Sequence, residues 1–395
     1  MESFASNTHI HSPYSFSAFD SIGQAVALAR NEGVRALGIS DFNTVEGYEE
    51  FRNECRAGGI YPLFNIEFIA LSWEDKEGGI RWNDPANPGI MYYCGKALDF
   101  PLSFSEDSIN VLSSLWKGGQ EHIWKVIERL NPYLRERNVD IALDYRKIRS
   151  ELAKNTVRER HLAKALYREI ARMKLDPAEC RALYRRLFDD PSFEPDLDDP
   201  VGMQGEIRGR LLKAGKPAFV EEKSEAFLPP EKIKRIILDG GGIPCYPVLA
   251  HEKTGADDHE SDPEKLATAL QERGFHAVEF IPLRNDVRRL KRFVESFRRR
   301  SFCVTFGTEH NTPHLGPMVP AARNGVALDE ALRETACRGA CILAAHQQRR
   351  SRGLTGFVDG AGRRQVNEAE IGAFVAEGER AIRQWTETRG NADGS

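Results

Sequence analysis

The sequence predicts an α/β fold in which a barrel of strands and helices is interrupted by a mainly helical insertion. Apolar runs of strand length alternate with amphipathic helical segments at both ends of the chain. The middle of the chain is helical and rich in Arg and Glu, and polar residues follow the apolar runs. With 395 residues, the chain is long enough for one large barrel with an insertion or for two ordinary domains.

The first hundred residues predict the order βαβαβ. We expect strands at residues 4–11, 36–42 and 61–71, helices at 20–32 and 45–57, and a further strand at 90–98. Parallel strands joined by helical crossovers produce this order, because a tight turn cannot join a parallel pair.

The rest of the chain predicts helices first and then a second run of alternating elements. Amphipathic helices are expected at 121–138, 155–173 and 177–190, then helices at 230–239, 263–273 and 286–299 alternating with strands at 243–251, 277–281 and 303–309. We divide the chain into a first barrel part (1–104), a helical insertion (105–229), a second barrel part (230–350) and a C-terminal helix with a flexible tail (351–395).

The composition excludes several classes of partner. The formal net charge is −4 and the pI is about 6.3, so the chain lacks the basic character typical of nucleic-acid binding. No run approaches the roughly 20 apolar residues that span a bilayer. The seven cysteines include no CxxC pair, which favours reduced thiols. We expect a cytoplasmic protein without nucleic-acid or membrane partners.

Polar residues at the predicted strand ends indicate a metal site. His9 and His11 are two residues apart on one strand, so both project to the same face. Glu67 lies among apolar residues, where an ionised carboxylate needs a metal ion or, equally well, a buried Arg or Lys. His251 and Glu309 follow later apolar strands in the same way. In a barrel these strand ends meet at one face, which favours a shared metal site.

Several short motifs carry a resemblance to a known family. "NTHIHS", "GISDFNTVEGY", "NIEF", "VLAH", "AVEFI" and "GTEHN" occur in this order over residues 3–97 and 235–312. The chain thereby resembles the polymerase and histidinol phosphatase (PHP) superfamily, in an uncharacterised divergent branch. The resemblance implies a distorted (β/α)7 barrel with up to three Zn, Mn or Fe ions that hydrolyses phosphate esters.

The motifs also depart from the family pattern. The resemblance implies that His9, His11 and Glu67 bind a first metal and that Glu67 and His251 bind a second, with Glu309 in place of an Asp ligand. Other expected ligand positions hold different residues, namely Ser17, Phe42, Asn311 and, in the neighbourhood of an expected His, Lys96. We therefore expect one or two divalent metal ions.

The resemblance and the residues together predict a metal-dependent phosphoesterase that acts on a small anionic metabolite through a metal-activated water. Asp41 is the candidate for orienting His9, His11 or a metal-bound water, and His310 is the candidate proton donor to the leaving group. Arg284 is expected to bind an anionic group of the substrate bidentately, and Lys96 is a further candidate for substrate binding.

The insertion is a candidate lid. A helix capped by Asn155 or Thr156 would place Arg158 and His161 on one face, where they could bind an anionic substrate and exclude water. Two alternatives to the phosphoesterase remain open: a metal-dependent lyase or isomerase acting on a sugar acid, and a binding module with a decayed catalytic site.

Overall fold

Seven strands form one sheet, in which each strand pairs with the next one in the chain. The computed structural model describes residues 3–222, 227–250 and 259–387. The strands are β1 (Ala5–Ile10), β2 (Val34–Phe42), β3 (Tyr61–Leu71), β4 (Ile90–Lys96), β5 (Ile243–Val248), β6 (Ala277–Phe280) and β7 (Cys303–Phe306). Because strands from both ends of the chain share this sheet, the chain builds one barrel and not two separate α/β domains.

Helices cover the barrel and make up the insertion. They are α1 (Ile22–Asn31), α2 (Tyr48–Gly58), α3 (Trp73–Glu77), α4 (Glu106–Glu136), α5 (Tyr145–Leu152), α6 (Glu159–Arg172), α7 (Pro177–Leu187), α8 (Pro200–Ile207), α9 (Pro230–Asp239), α10 (Pro263–Glu272), α11 (Val287–Arg299), α12 (Glu330–Arg350) and α13 (Ile371–Glu387). The apolar faces of α1, α2, α9, α10 and α11 pack with the strands in one continuous core. No described helix has the length and apolar character that crossing a membrane requires.

The barrel is distorted because β4 runs against its neighbours. β4 is antiparallel to both β3 and β5, whereas the other neighbouring strands are parallel. The connection from β3 to β4 contains only the five-residue helix α3, and β4 starts at the end of the barrel where β3 stops. This architecture confirms the predicted distorted (β/α)7 barrel with a mainly helical insertion.

The two ends of the sheet meet and close the barrel. Ile10 forms a parallel bridge with Glu309. The His11 N–H donates to the Glu309 carbonyl (2.7 Å), and the Glu309 N–H donates to the His9 carbonyl (2.8 Å). Gly307 permits this approach, since a Cβ at that position would lie 2.3 Å from the Cβ of His9. Closure thus brings the first and last motifs of the predicted site together.

α12 lies at the end of the barrel where the parallel strands begin. Gln347 donates to the Pro62 carbonyl at the start of β3 (3.1 Å), and His346 bonds to the Gly241 carbonyl just before β5 (2.6 Å). This end is closed by apolar packing of α12 and α13. The polar side chains of the predicted site lie at the other end, where the parallel strands finish.

The insertion has an apolar core of its own. Residues of α4 to α8, among them Leu130, Leu166 and Ile207, form a cluster separate from the barrel core. Two backbone hydrogen bonds join the insertion to the loop after β1: Lys154 N–H donates to the Pro13 carbonyl and Thr156 N–H to the Tyr14 carbonyl. The insertion is therefore fastened to the barrel next to β1.

The predicted start of α6 at Asn155 or Thr156 is wrong. The helix begins at Glu159, and Arg158 is its N-cap residue with extended backbone. The preceding residues bond to the barrel loop instead, which keeps them out of the helix. His161 completes the cap, because its Nδ1 accepts a hydrogen bond from the Arg158 N–H at 2.9 Å.

Candidate metal centre

Three side chains converge at the mouth of the barrel. The Nε2 atoms of His9 and His11 are 3.3 Å apart, and the Glu67 Oε2 atom lies 3.7 Å from the first and 3.2 Å from the second. All three side chains are buried. The strands explain the arrangement, since β1 ends between the two histidines and β3 carries Glu67 level with the end of β2.

The support of His9 fixes its tautomer. Its Nδ1 lies 2.5 Å from the Glu279 Oε2 atom, and a carboxylate can only accept, so Nδ1 carries the proton. Burial opposes ionisation of Glu279, but Lys96 and His9 lower its pKa to about 2. The Nε2 atom of His9 points at the Nε2 atom of His11 and the Oε2 atom of Glu67.

The support of His11 runs through a hydroxyl group. Ser15 donates to the Asp41 Oδ1 atom at 2.6 Å, so its oxygen accepts from the Nδ1–H of His11 at 3.3 Å. Asp41 also accepts from the backbone N–H and the hydroxyl of Ser12. Burial lowers the pKa of His11 to about 4 although Asp41 opposes this, so its imidazole is neutral and its Nε2 is an acceptor. Asp41 thus contacts His11, one of the groups that it is predicted to orient, through the hydroxyl of Ser15.

Among the described residues, these three atoms contact one another and no other hydrogen-bonding group. The Glu67 Oε2 atom is buried without a hydrogen-bond partner among the described residues. Burial raises the pKa of Glu67 to about 7, against the opposing influence of His9. Three acceptors that face one another at this range repel unless a cation or a proton lies among them.

The spacing of the donors fits a divalent metal ion. Donors of a four-coordinate ion with bonds of about 2.0–2.2 Å lie roughly 3.3–3.6 Å apart. The three separations here are 3.2, 3.3 and 3.7 Å. Two imidazoles and a carboxylate are also a common ligand set for catalytic zinc. The residues therefore fit a metal ion at His9, His11 and Glu67.

His251, the predicted ligand of a second ion, lies outside the described residues.

Glu309, the other predicted ligand, is paired with Arg284. The guanidinium Nη2 atom lies 2.7 and 2.6 Å from the two carboxylate oxygens. Asn311 donates to the same carboxylate at 3.2 Å. Although burial opposes it, Arg284 lowers the pKa of Glu309. Arg284 keeps 42% of its side chain exposed, whereas Glu309 exposes 15%.

Lys96 lies below the histidines and does not face the mouth. Its Nζ is 2.7 Å from the Glu279 Oε2 atom and donates to the Thr8 carbonyl and the Ser40 hydroxyl. The side chain is wholly buried. Thr8 does not pack away from the site as an alternating strand would require, since its hydroxyl also donates to Glu279. A register irregularity between Asn7 and Ile10 accounts for this.

His310 is not among the converging side chains. Its Nδ1 accepts from the Thr308 hydroxyl at 2.7 Å, and its Nε2 bonds to the Gly316 carbonyl at 2.9 Å. Its ring packs against Phe19. Both ring nitrogens are thus used within the loop after β7.

Arginines of the insertion lie over the site. The Arg158 guanidinium stands 4.2 Å from the centre of the Phe42 ring, and this ring stacks on His11 at 4.9 Å. Arg160 is partly buried near Phe16, and burial together with Arg208 and Arg158 lowers its pKa to about 10. No carboxylate in the described ranges forms an ion pair with Arg158 or Arg160. His161 is buried and serves the cap of α6.

Sequence reasoning missed four residues that shape the site. Glu279 lies in the motif "AVEFI", but the sequence assigns no role to it. Ser15 and Arg160 lie outside any periodic pattern that could have revealed them. Tyr92 lies in β4, whose antiparallel direction the sequence does not show. Its ring lies 6.3 Å from that of Phe42, and burial and Glu67 raise its pKa to about 12.

Comparisons with known proteins agree with this barrel. The PHP domain family matches residues 7–144. One similar solved structure is that of a candidate metal-dependent phosphoesterase from Bifidobacterium adolescentis, at 16% identity and a TM-score of 0.52, covering 86% of this chain and 98% of that chain. Another is an amidohydrolase from Chromobacterium violaceum with bound sulfate and no metal, at 17% identity and a TM-score of 0.50, covering 80% and 93%. No curated protein sequence matches the chain.

At these identities the two solved structures show a shared fold and nothing about activity. The family match is independent of them, because it rests on the sequence from β1 through β4 and into α4. It includes His9, His11 and Glu67, and the strands after the insertion complete the same sheet. Residues 7–144 therefore match the PHP domain family, and the strands after the insertion continue the sheet that this segment begins.

Proposed function

We propose that the protein is a metal-dependent hydrolase that cleaves phosphate esters of small anionic metabolites. The observation that carries this proposal is the group of three buried atoms, Nε2 of His9, Nε2 of His11 and Oε2 of Glu67, which face one another with no other hydrogen-bonding partner among the described residues. A decayed binding module gives no reason to keep a buried carboxylate oxygen without a partner.

The protein's own residues prepare the site for a metal ion. Glu279 and the Ser15–Asp41 pair each hold the proton of one Nδ1 atom, which leaves both Nε2 atoms free for metal binding. When bound, a divalent ion such as Zn, Mn or Fe supplies a Lewis acid and lowers the pKa of a water molecule that can attack phosphorus.

Arginines at the mouth favour an anionic substrate. Arg284 is held by Glu309 and is partly exposed, so it can donate further hydrogen bonds to a phosphate group. Arg158 and Arg160 reach the same region from the insertion and have no paired carboxylate among the residues that the structure describes. We propose that the insertion, residues 105–229, acts as a lid that supplies these two charges.

Proton transfer to the leaving group needs a different donor from His310. The two bonds of His310 to Thr308 and Gly316 leave neither ring nitrogen facing the metal ligands. Tyr92 lies within the electrostatic influence of Glu67, Arg158 and Arg284, and its raised pKa keeps its hydroxyl protonated. We propose that Tyr92 donates a hydrogen bond to the substrate.

Turnover by the metal-loaded protein tests this proposal. Untagged protein is loaded with Zn2+ or Mn2+ and assayed on a panel of phosphate mono- and diesters and on a panel of sugar acids. Removal of a residue that only orients a metal ligand typically lowers metal affinity or activity 10–100-fold. Because Glu67 is itself a proposed ligand, we expect Glu67→Gln to lower phosphate-ester turnover by about 100-fold or more. Glu74→Gln changes an exposed carboxylate beyond β3 and is the matched control.

Two results would contradict the proposal. A loaded wild-type protein that turns over no phosphate ester but converts a sugar acid would be a lyase or isomerase. A Glu67→Gln variant with unchanged turnover and unchanged metal content would show that the three donors do not form the catalytic centre.

A further inference from the structure

The site contains more carboxylates than one metal ion needs. Four carboxylates surround the two histidines: those of Asp41, Glu67 and Glu279 are buried, and that of Glu309 is 15% exposed. A buried carboxylate requires a cation or several hydrogen-bond donors. The partners of each carboxylate therefore indicate how many metal ions the site can bind. This inference rests on the metal centre proposed above.

Glu279 is saturated by groups of the protein. Its Oε2 atom accepts from His9 and contacts the Lys96 ammonium group at 2.7 Å, and its Oε1 atom accepts from Thr8 at 2.8 Å and from Thr305 at 3.4 Å. Lys96 is fixed in turn by the Thr8 carbonyl and by a serine hydroxyl. The positive charge beside Glu279 is thus part of the chain.

Glu309 is saturated in a second way. Both of its oxygens lie within 2.7 Å of the Arg284 guanidinium, and Asn311 donates to one of them. Consecutive left-handed residues, Glu309 (φ 63°) and His310 (φ 52°), hold this carboxylate in place together with the backbone bonds to β1. A metal ion at Glu309 would have to displace a positive charge that is already bound.

Asp41 needs no cation, because two hydroxyls and one backbone N–H donate to it. Glu67 is the exception. Its Oε2 atom has no hydrogen-bond partner in the described part of the chain, and it lies 3.7 and 3.2 Å from the Nε2 atoms of His9 and His11. Among the four carboxylates, only that of Glu67 lacks a partner that the described residues supply, so only Glu67 requires an added cation.

We propose that the centre binds one divalent metal ion, at His9, His11 and Glu67, and that Lys96 and Arg284 are built-in cations that take the place of further metal ions. The two cations balance Glu279 and Glu309, which leaves the charge of Glu67 for the metal. A mononuclear centre flanked by an arginine would combine metal and guanidinium charges on one substrate anion.

Metal stoichiometry tests this proposal without any assay of activity. Mn2+ is the probe, because it prefers oxygen and nitrogen ligands and will not be held by the seven thiols as zinc could be. Free and bound Mn2+ are counted during titration by electron paramagnetic resonance, and bound ions are counted again by native mass spectrometry. We expect one equivalent per chain, with the spectrum of an isolated ion.

Two variants separate the ligands from the paired carboxylates. Glu67→Gln should lose the bound equivalent while keeping the wild-type circular dichroism spectrum. Glu309→Gln should retain one equivalent, with a dissociation constant within about threefold of wild type. Thermal unfolding of each variant verifies that it is folded before the ions are counted.

A second equivalent in wild type that Glu309→Gln or His251→Ala removes would overturn the proposal. This failure is distinct from failure of the proposed function, which would show one bound ion and no turnover of any phosphate ester. Loss of the single equivalent in Glu309→Gln would also overturn it, since Glu309 would then be a ligand and not the partner of Arg284.

Discussion

The floor and the rim of the site use positive charge in different ways. The floor, defined as Lys96 and Glu279, is wholly buried, and every polar atom of the pair has a partner. The rim, defined as Arg158, Arg160 and Arg284, is partly exposed, and two of its three guanidinium groups lack a paired carboxylate among the described residues. Satisfied buried charges fix geometry, whereas partly exposed charges without partners remain available for a ligand.

Removal of the floor cation should have the largest effect on stability. Lys96→Met leaves the Glu279 carboxylate buried beside His9 without its ammonium partner. Breaking a buried ion pair from one side typically costs about 3–5 kcal/mol, and we expect a loss of this size in the free energy of unfolding. Urea denaturation measures it.

A double variant tests whether charge is the cause. Lys96→Met combined with Glu279→Gln removes both charges, and the Gln oxygen can still accept from His9. We expect the double variant to be more stable than Lys96→Met alone. Lys125→Met, on the exposed face of α4, is the control and should change stability by less than about 0.5 kcal/mol. Equal losses in Lys96→Met and the double variant would contradict an electrostatic role.

Between pH 7 and pH 5 the rim should respond to acid where the floor does not, because the carboxylate of the floor, Glu279, titrates only at lower pH. His161 caps α6, which follows Arg158 and carries Arg160, and burial lowers its pKa to about 3 from an ordinary value near 6.5. Between pH 3 and pH 6.5, His161 is therefore protonated in the unfolded chain and neutral in the folded chain. Stability is fully present above pH 6.5 and is lost as the pH falls, by about 2 kcal/mol at pH 5.

His161→Asn isolates this effect, because the Asn side-chain oxygen can take over the bond from the Arg158 N–H. The difference in unfolding free energy between wild type and the variant, measured at pH 7 and pH 5, should shift by about 2 kcal/mol in favour of the variant. A difference that does not change with pH would mean that His161 does not stay neutral in the folded protein.

How far the sequence predicted this molecule depends on the kind of signal. β3 matches its predicted limits because its mostly apolar run, interrupted only at Asn65 and Glu67, is rich in aromatic and branched residues that favour a strand. α4 begins at Glu106, well before the predicted residue 121, because its first turns are only partly buried and carry a weaker apolar stripe. The reversed direction of β4 depends on where its connection leads, which a local pattern does not contain.

The same distinction holds within the site. Apolar neighbours in the sequence indicated Glu67, within β3, and Glu309, after β7, equally, since both are carboxylates that burial would penalise. The signal cannot say which partner each one finds. Glu309 is bound by Arg284 from the loop after β6, whereas Glu67 has no such partner in the described ranges. Partner choice is a tertiary property, and it separates a metal ligand from one half of an ion pair.

The smallest expected effect concerns binding at the rim. Arg158→Met keeps the length of the side chain and its packing on Phe42 but removes the charge. Because Arg158 has no carboxylate partner in the described residues, we expect stability to change by less than about 0.5 kcal/mol. Loss of one charge-assisted contact should raise KM for a phosphate ester about tenfold, or about 1.4 kcal/mol, with little change in kcat.

Inhibition by inorganic phosphate provides a measure that does not depend on the identity of the substrate. Its inhibition constant should rise with KM in Arg158→Met and stay unchanged in Arg146→Met, a matched variant on the exposed side of α5. A drop in kcat with unchanged KM would place Arg158 at the transition state rather than in ground-state binding. If neither constant moved, Arg158 would cover the site without contacting the anion, and the contrast between a structural floor and a binding rim would then rest on Arg160 and Arg284.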